Sequence, residues 1–244
     1  MTELGLDYST KWGRRYSARF ARHLFQQYFM RPYMRWAATL EVRGLEHLDG
    51  PGPFIFVANH NSHLDTPLVL SALPPRVRNR TVVAAAMDNF FMDRKVAFRT
   101  VVMFNAIPID RHKVNRRSAL IALELVEDHW NLLIYPEGGR SPDGSLHEFK
   151  GGAAYLAERS RAPVIPTYVH ESGHLQGPRW AKAPLYVEGA SQRRHHVIVA
   201  FDKALRCDEG ESIRHFNVRI ESAIELLGRE VGANPDYGIV RDRD

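Results

Sequence analysis

The segment from Pro53 to Leu70 most constrains what this chain can fold into. It opens with an uninterrupted apolar run, Phe54 to Val57, which is typical of a buried strand. A stretch with the apolar periodicity of a helix begins near Leu64. A strand that turns directly into a helix is a unit of α/β proteins, which place reactive groups at the carboxyl ends of their strands. The turn is therefore where functional side chains are expected.

This turn carries His60, and Asp65 follows five residues later. Positions five apart on a regular helix point roughly 140° apart, so the two side chains can meet only if His60 precedes the helix and Asp65 lies in its first turn. Asn61 and Ser62 are good capping residues for that arrangement. An acid on one ring nitrogen leaves the other free as a base, here for a substrate hydroxyl because no nucleophile elbow is present. A purely structural capping histidine and acid remain the alternative on these residues alone.

Three further segments follow in order. Asn105–Arg111 is a β-like segment that ends in an arginine, and Leu132–Ser141 is a strand that runs into a Pro/Gly turn with an acid and an arginine. Pro163–Val169 is a buried strand with an internal proline. With Asn59–Asp65, these segments resemble in order and spacing the four blocks of the glycerolipid acyltransferases, which include 1-acylglycerol-3-phosphate and lysophospholipid acyltransferases. The resemblance covers approximately residues 40–205.

The resemblance implies roles for individual residues. The first block of the family supplies the catalytic pair, which matches His60 and Asp65. Residues of the second and third blocks bind the glycerol phosphate of the acceptor, and the matching ones are Arg111, Glu137, Gly138 and Arg140. The fourth block, here Val164 to Pro166, is associated with the acyl-donor side and with packing.

Lys150 stands just before a predicted helix. Backbone N–H groups at a helix start favour anions, so Lys150 could assist phosphate binding. A solvated surface lysine is the alternative.

Four positions depart from the family pattern. The second block usually opens with glycine but has Asn105, and it has Pro108 where an aromatic residue is common. The third block has Tyr135 in place of phenylalanine and Gly139 in place of threonine. The last change removes a hydroxyl beside the expected phosphate site, so it bears on the acceptor headgroup more than on the reaction.

The function implied is transfer of a fatty acyl group from acyl-CoA or acyl carrier protein to the free hydroxyl of 1-acylglycerol-3-phosphate, which makes phosphatidic acid. No metal or bound cofactor is expected, since the acyl carrier is a co-substrate. Two alternatives remain: an acyltransferase for another lysolipid, and a non-catalytic lipid-binding protein. The residues His170 to His174 spell a zinc-protease signature, but Ser172 and Gly173 are poor helix formers, so a loop is expected there.

Length suits one α/β domain, since the chain has 244 residues. We expect a mostly parallel or mixed central sheet flanked by helices over residues 39–231, with N-terminal amphipathic helices over 1–38 and a frayed tail over 232–244. Cys207, the single cysteine, fits a reducing compartment. No run approaches the roughly twenty apolar residues of a spanning helix, and the first residues lack a signal-peptide layout. These features predict a cytoplasmic protein, peripheral on the inner face of the membrane.

The N-terminal segment is basic and aromatic. Between Lys11 and Ala38 there are seven basic residues and no acid. An apolar stripe recurs at steps of four, and Pro32 should divide the segment into two helices; the stripe consists of Trp12, Tyr16, Phe20 and Leu24. This pattern indicates binding to an anionic membrane surface. Packing of the stripe on the domain is the alternative, and nucleic acid is not an expected partner because no recognition fold accompanies the charge.

A second amphipathic segment covers residues 88–104 and mixes apolar with basic side chains. Phe90 and Phe91 could line an acyl channel or touch the bilayer beside the active site. An ordinary amphipathic helix with a solvated basic face is the alternative.

Overall fold

The computed structural model describes residues 4–111, 116–141, 145–173, 175 and 195–232. The strands are β1 (Ala38–Arg43), β2 (Ile55–Ala58), β3 (Thr81–Ala86), β4 (Ala106–Ile109), β5 (Asn131–Ile134), β6 (Val164–His170) and β7 (His195–Phe201). The α-helices are α1 (Tyr16–Phe25), α2 (Arg31–Ala37), α3 (Asp65–Ala72), α4 (Pro75–Arg78), α5 (Met87–Phe90), α6 (Arg94–Phe104), α7 (Arg116–Glu127), α8 (Gly152–Ser160) and α9 (Ile213–Glu230). Of the predicted C-terminal tail, residues 233–244 lie outside the described residues.

The strands of the described chain form one mixed sheet of seven strands in the order β1-β7-β6-β2-β5-β3-β4. The run from β6 to β4 is parallel, whereas β7 is antiparallel to β6 and parallel to β1. The predicted α/β fold with a mixed central sheet flanked by helices is confirmed. Strands β2, β5 and β6 are apolar without alternation because helices cover both faces of the sheet.

The core lies on both faces of this sheet. Along β2, Ile55 and Val57 pack toward α7, α8 and α9, while Phe56 and Ala58 pack toward α2 and α3. The closing helix α9 contributes the stripe expected from its periodicity, including the fully buried Phe216. Because β2 is central and buried on both sides, the turn at its end has a rigid support.

The two N-terminal helices predicted on either side of Pro32 are present, but the change of helix type precedes the proline. A π-helical segment, Gln26–Met30, joins α1 to α2 without an intervening loop. Pro32 itself lies in the first turn of α2, where a missing N–H costs little. The stripe residues Tyr16 and Phe20 are exposed rather than packed on the domain, so the packing alternative does not hold for them.

Arg22 differs from the other arginines of this segment because its side chain is buried. Its Nε donates to the carbonyl of Val102 at 3.0 Å, and its Nη2 donates to Gly13 at 2.7 Å and Val101 at 3.0 Å. Gln26 donates to the carbonyl of Met103 at 3.0 Å. The last carbonyls of a helix lack intrahelical partners and form its negative end, so α1 is attached to the domain by capping the end of α6. Burial lowers the pKa of Arg22 to about 10, which leaves it charged at neutral pH.

The prediction of a single helix over residues 88–104 is wrong, because the segment contains two helices, α5 and α6. The side chain of Asp93 accepts from the N–H of Val96 at 2.9 Å and starts a separate helix, α6. That helix ends at Asn105, whose φ of +55° is in the left-handed region. Asparagine tolerates this conformation better than most residues, and this explains how it replaces the glycine usual in the family.

Pro108 lies in β4, which is an edge strand and therefore tolerates proline.

We predict that Arg22→Met lowers the free energy of unfolding by about 2–4 kcal/mol, because three carbonyls lose a charged donor while they stay buried. Urea denaturation measures the change. Arg35→Met is the matched control: Arg35 is exposed on α2, so its loss should stay within about 0.5 kcal/mol of the parent. Equal stability of the two variants would contradict the capping role of Arg22.

Candidate active site

The loops that follow three strands meet at one edge of the sheet. β2 ends at Ala58, β5 ends at Ile134 and β4 ends at Ile109. β2 and β5 are parallel neighbours, and β3 separates β5 from β4. Because parallel strands place their carboxyl ends on the same side, the first three sequence blocks converge there.

His60 and Asp65 are in direct contact. The ring Nδ1 of His60 lies 2.8 Å from Oδ2 of Asp65, which is completely buried. The same oxygen accepts the backbone N–H of Asn61 at 2.7 Å and of Ser62 at 2.8 Å. With three donors on one carboxylate oxygen, Nδ1 carries the proton and Nε2 of His60 is left as the basic nitrogen. Asp65 is the first residue of α3, where the helix dipole favours a negative charge.

Glu137, expected at the acceptor phosphate, makes its contacts with backbone N–H groups. Its Oε1 accepts the backbone N–H of His60 at 2.9 Å, and its Oε2 accepts that of His147 at 3.2 Å. The side chain is buried and does not line the cavity beside His60. Glu137 thus holds the backbone of the turn after β2, and a carboxylate in this position would repel a phosphate. The N–H of Ser141 also donates to the carbonyl of His60, at 2.8 Å.

Tyr135 supports the histidine ring from one side. The two ring centroids are 4.1 Å apart with an interplanar angle of 23°. The Tyr135 hydroxyl is 2.9 Å from Oγ1 of Thr66, so the hydroxyl that phenylalanine would lack has a partner on α3. Burial, and then the charge of Asp65, raise the pKa of Tyr135 well above its usual value. Tyr135 therefore stays neutral at physiological pH.

Sequence reasoning missed the roles of Asn59 and Ser62. The buried side-chain amide of Asn59 forms two hydrogen bonds with the backbone of Val169. Its Nδ2 donates to the carbonyl at 3.1 Å, and its Oδ1 accepts the N–H at 2.7 Å. Ser62 donates to the carbonyl of Leu175 at 2.9 Å. An asparagine directly after a buried strand is the signal that was available, because a buried polar side chain requires partners.

The second block reaches the site through Arg111. Its Nε and Nη2 donate to Oδ2 of Asp88 at 3.2 and 2.6 Å, and its Nη1 lies 3.3 Å from the carbonyl of Gly138. Lys150 donates from Nζ to the backbone carbonyl of Arg111 at 2.5 Å. A Cβ on Gly138 would lie 2.5 Å from that Nζ, and the residue has φ +72°, so both close approach and conformation call for glycine. Arg111 is therefore already paired with an acid.

Arg140, unlike Arg111, forms no hydrogen bond or ion pair with another described residue. It is exposed and lines the cavity. Its neighbour Gly139 has no atom within 4 Å of where a Cβ would stand, so the missing threonine leaves open space. His63, absent from the sequence prediction, also lines the cavity.

These groups open into a cavity of about 2070 Å³. Its polar part contains His60 and the cations described above, and its apolar walls come from several helices. The apolar lining includes Phe25, Phe29, Met30, Phe90, Val96, Met103, Phe104, Leu120, Leu123 and Leu156. A cleft with apolar walls and a few convergent polar groups is typical of a small-molecule site.

Of the four residues expected on the acyl-donor or membrane side, only Phe90 lines this cavity. Phe91 is completely buried, 5.8 Å from Tyr8 between ring centroids, in a small cluster under α6. Val164 and Pro166 are buried in β6, where the carbonyl of Pro166 accepts the N–H of Asp202 at 2.9 Å. These three residues support packing and do not contact the cavity.

Among the described residues, no group of three or more His, Cys, Asp or Glu side chains could hold a metal ion. His170 is the last residue of β6 and Glu171 follows it, while His174 of the zinc-protease signature lies outside the described residues.

The sequence model of the Acyltransferase family matches residues 39–170, the part of the chain that carries the four blocks. The chain belongs to this family. It is 29% identical over 137 residues to the 1-acyl-sn-glycerol-3-phosphate acyltransferase alpha of Mus musculus, which covers 54% of the chain and 45% of the relative. It is 27% identical over 177 residues to a chloroplastic 1-acyl-sn-glycerol-3-phosphate acyltransferase of Brassica napus, covering 70% of the chain and 48% of the relative. The chain thus spans about half the length of the curated relatives it matches.

The fold is shared with a solved structure of the family. The crystal structure of the 1-acyl-sn-glycerophosphate acyltransferase PlsC of Thermotoga maritima superimposes with a TM-score of 0.65 at 20% identity, over 93% of this chain and 84% of that one. At this level of identity the likeness shows a common fold.

We predict that Glu137→Gln lowers the free energy of unfolding by about 1–3 kcal/mol, because one of the two backbone N–H groups would then face an amide donor. Chemical denaturation measures the loss, and Glu209→Gln, at an exposed loop acid, is the control with little expected change. Undiminished stability would show that Glu137 is not a structural acceptor and would return it to ligand binding.

Proposed function

We propose that the protein transfers a fatty acyl group from acyl-CoA or acyl carrier protein to the free hydroxyl of 1-acylglycerol-3-phosphate, with phosphatidic acid as product. The single observation that carries this proposal is the His60–Asp65 pair at a large, mostly apolar cavity, which also contains Arg140, an arginine without an ion-pair partner among the described residues. Membership of the Acyltransferase family and the names of the relatives support the same reaction.

In this proposal His60 acts as the general base. Its Nε2 removes the proton of the acceptor hydroxyl as that oxygen attacks the thioester carbonyl, so that an ester C–O bond forms and the C–S bond breaks. The proton then passes from the imidazolium to the departing thiolate, which leaves as the free thiol. Asp65 holds the ring in the required tautomer and stabilises the imidazolium.

The acceptor phosphate would lie against Arg140, with Lys150 and the Arg111–Asp88 pair behind it. All three cations line the cavity with His60. A phosphate held there places the glycerol hydroxyl near the base, and such positioning supplies a large part of the rate in transfer reactions. The apolar walls suit the acyl chains of donor and acceptor.

A different acceptor headgroup is the second candidate, and one observation favours it. The space around Gly139 is open, so a headgroup larger than phosphate would fit beside Arg140. An amine or hydroxyl lipid, or another lysophospholipid, belongs to this class.

We also propose peripheral attachment to an anionic membrane, on the inner, cytoplasmic face. Exposed aromatic side chains extend along the N-terminal helices, with Tyr16 at 81%, Tyr28 at 67% and Phe29 at 69% exposure. Phe29 also lines the cavity, so the aromatic surface and the opening for a lipid substrate are contiguous. Within the described residues, no helix combines the length and apolar composition needed to cross a bilayer.

We predict that His60→Ala lowers kcat by on the order of 10³-fold, since general-base catalysis contributes at least 10²-fold in comparable sites.

Asp65→Asn tests the negative charge of the carboxylate alone. All three donors use Oδ2 and Oδ1 has no partner, so the amide can keep the contacts with its oxygen in the place of Oδ2. It should lose about 10²-fold or more in kcat with the fold unchanged. Release of thiol from acyl-CoA in the presence of acceptor measures both.

The same assay with a panel of acceptors tests the headgroup. Lysophosphatidate, lysophosphatidylcholine, lysophosphatidylethanolamine and a lyso-ornithine lipid are compared by mass spectrometry of the product. Preference for lysophosphatidate supports the proposal, whereas transfer only to another lysolipid moves it to the second candidate. Full activity of His60→Ala would remove the mechanism, and binding without transfer to any acceptor would favour a lipid-binding protein.

We predict that replacing Tyr16, Phe20 and Tyr28 together by serine weakens binding to phosphatidylcholine/phosphatidylglycerol vesicles by about tenfold or more, because their rings lose burial in the interface. Vesicle sedimentation at low and high salt measures it, and the basic residues should make binding of the parent salt-dependent. Leu226→Ser, at an apolar residue of α9 that is 57% exposed, is the control. Parent-like binding of the triple variant would contradict this surface assignment.

A further inference from the structure

His63 is the one titratable side chain of the catalytic turn that the reaction above does not use. It lies between Ser62 and Leu64, three residues after the base, and it lines the cavity. Asp65 accepts His60 and two backbone N–H groups, so it does not hold the His63 ring. No hydrogen bond or ion pair joins the His63 ring to another described residue.

The surroundings of His63 are cationic. Arg140 acts on it from the loop after β5, and His60 and Asp65 act on it from its own turn. Lys150 lines the same cavity from the start of α8. The one acid in this set, Asp65, is completely buried and already paired with His60. Asp93 and Asp110 also line the cavity, but neither is among the charges that act on His63. An anion beside His63 would therefore meet several donors.

The expected phosphate clamp is incomplete without a further donor. The Nε and Nη2 groups of Arg111 already donate to Asp88, and Glu137 already accepts a backbone N–H from the turn that carries His60. Within the part of the chain that the structure describes, Arg140 has no acidic partner. A phosphate dianion carries acceptor oxygens for more than one such group, and His63 lines the same cavity as Arg140 and lies within range of its charge.

We propose that His63 is a second recognition group for the acceptor phosphate, which it holds together with Arg140, and that binding is accompanied by uptake of a proton on its ring. The inference rests on the proposed function, because it requires a phosphate-bearing acceptor. It assigns a specificity role to a residue beside the catalytic pair, and the chemistry at His60 is unaffected.

The charges explain the direction of proton transfer. Partial loss of hydration, followed by the positive charges of Arg140 and His60, lowers the pKa of His63, while Asp65 opposes them. The ring is therefore predominantly neutral in the free protein at neutral pH. A phosphate placed between Arg140 and His63 favours the imidazolium and raises that pKa. Affinity for a phosphate-bearing acceptor should thus fall as the pH rises past the pKa of the bound state.

Two measurements test the proposal. The first is calorimetric titration of the protein with a short-chain 1-acylglycerol 3-phosphate, without donor, at pH 7 in PIPES and in imidazole, which counts protons exchanged on binding. The parent should take up about 0.5–1 proton more than His63→Gln, a variant that keeps a polar side chain without a titrating ring. His60→Gln should retain this uptake, because the base is not the group that titrates. His129→Asn, at an exposed histidine with φ +59°, is the surface control.

The second measurement is steady-state kinetics between pH 6 and 8.5. KM for the phosphate-bearing acceptor should rise on the order of tenfold in His63→Gln at pH 6.5, and this difference should shrink as the pH rises and the parent ring becomes neutral. The value of kcat should change by less than about twofold, since the residue acts in binding. A phosphate-free acceptor should show no difference between the two proteins.

The outcomes separate the two levels of proposal. If Arg140→Ala loses the phosphate-bearing acceptor while His63→Gln matches the parent in KM and in proton uptake, the role of His63 is overturned and the proposed function stands. If the parent transfers no acyl group to any phosphate-bearing acceptor, both are overturned. A fall in kcat that is the same at every pH, with KM unchanged, would make His63 a structural residue of the turn and would also overturn the proposal.

Discussion

The contact of one carboxylate oxygen with three N–H groups is the interaction on which the rest of the site depends. Oδ2 of Asp65 accepts from the His60 ring and from the backbone of Asn61 and Ser62, all within 2.8 Å. A buried carboxylate is tolerated only when such donors and a helix start compensate its desolvation. The same bonds bend the chain between β2 and α3 so that the histidine faces the acid. The bonds that form the turn are therefore also the bonds that orient the His60 ring.

The turn is also held from the neighbouring strands. Glu137, after β5, accepts the N–H of His60, and Asn59 pairs with Val169 of β6. Each of these bonds joins segments distant in sequence, and each is buried or partly buried, where an unmade hydrogen bond is costly. Precise placement of a catalytic group requires such support from groups that do not react. Acids and amides in these sequence blocks thus serve the geometry of the base.

Attachment of the N-terminal helices connects the site to the surface. Arg22 and Gln26 cap the end of α6, and α6 together with the segment Gln26–Met30 contributes walls of the cavity. A helix that is held by its polar side chains can leave its aromatic side chains exposed, as Tyr16 and Phe20 are. The arrangement reverses the usual division, in which an amphipathic helix buries its apolar stripe and exposes its charges.

The sequence by itself determined the α/β class, the strand-turn-helix unit from β2 to α3 and the expectation that His60 meets Asp65 across that turn. Strong periodicity and local spacing carry that information, because a contact five residues apart depends mainly on the conformation of the turn. Only the tertiary structure decided which charges are available. Arg111 is paired with Asp88 and Arg140 is not, Glu137 faces a backbone, and Arg22 is buried. The pairing and burial of these side chains depend on residues that are more than twenty positions away or that lie on another helix or strand. No local sequence pattern specifies the partner of a long charged side chain.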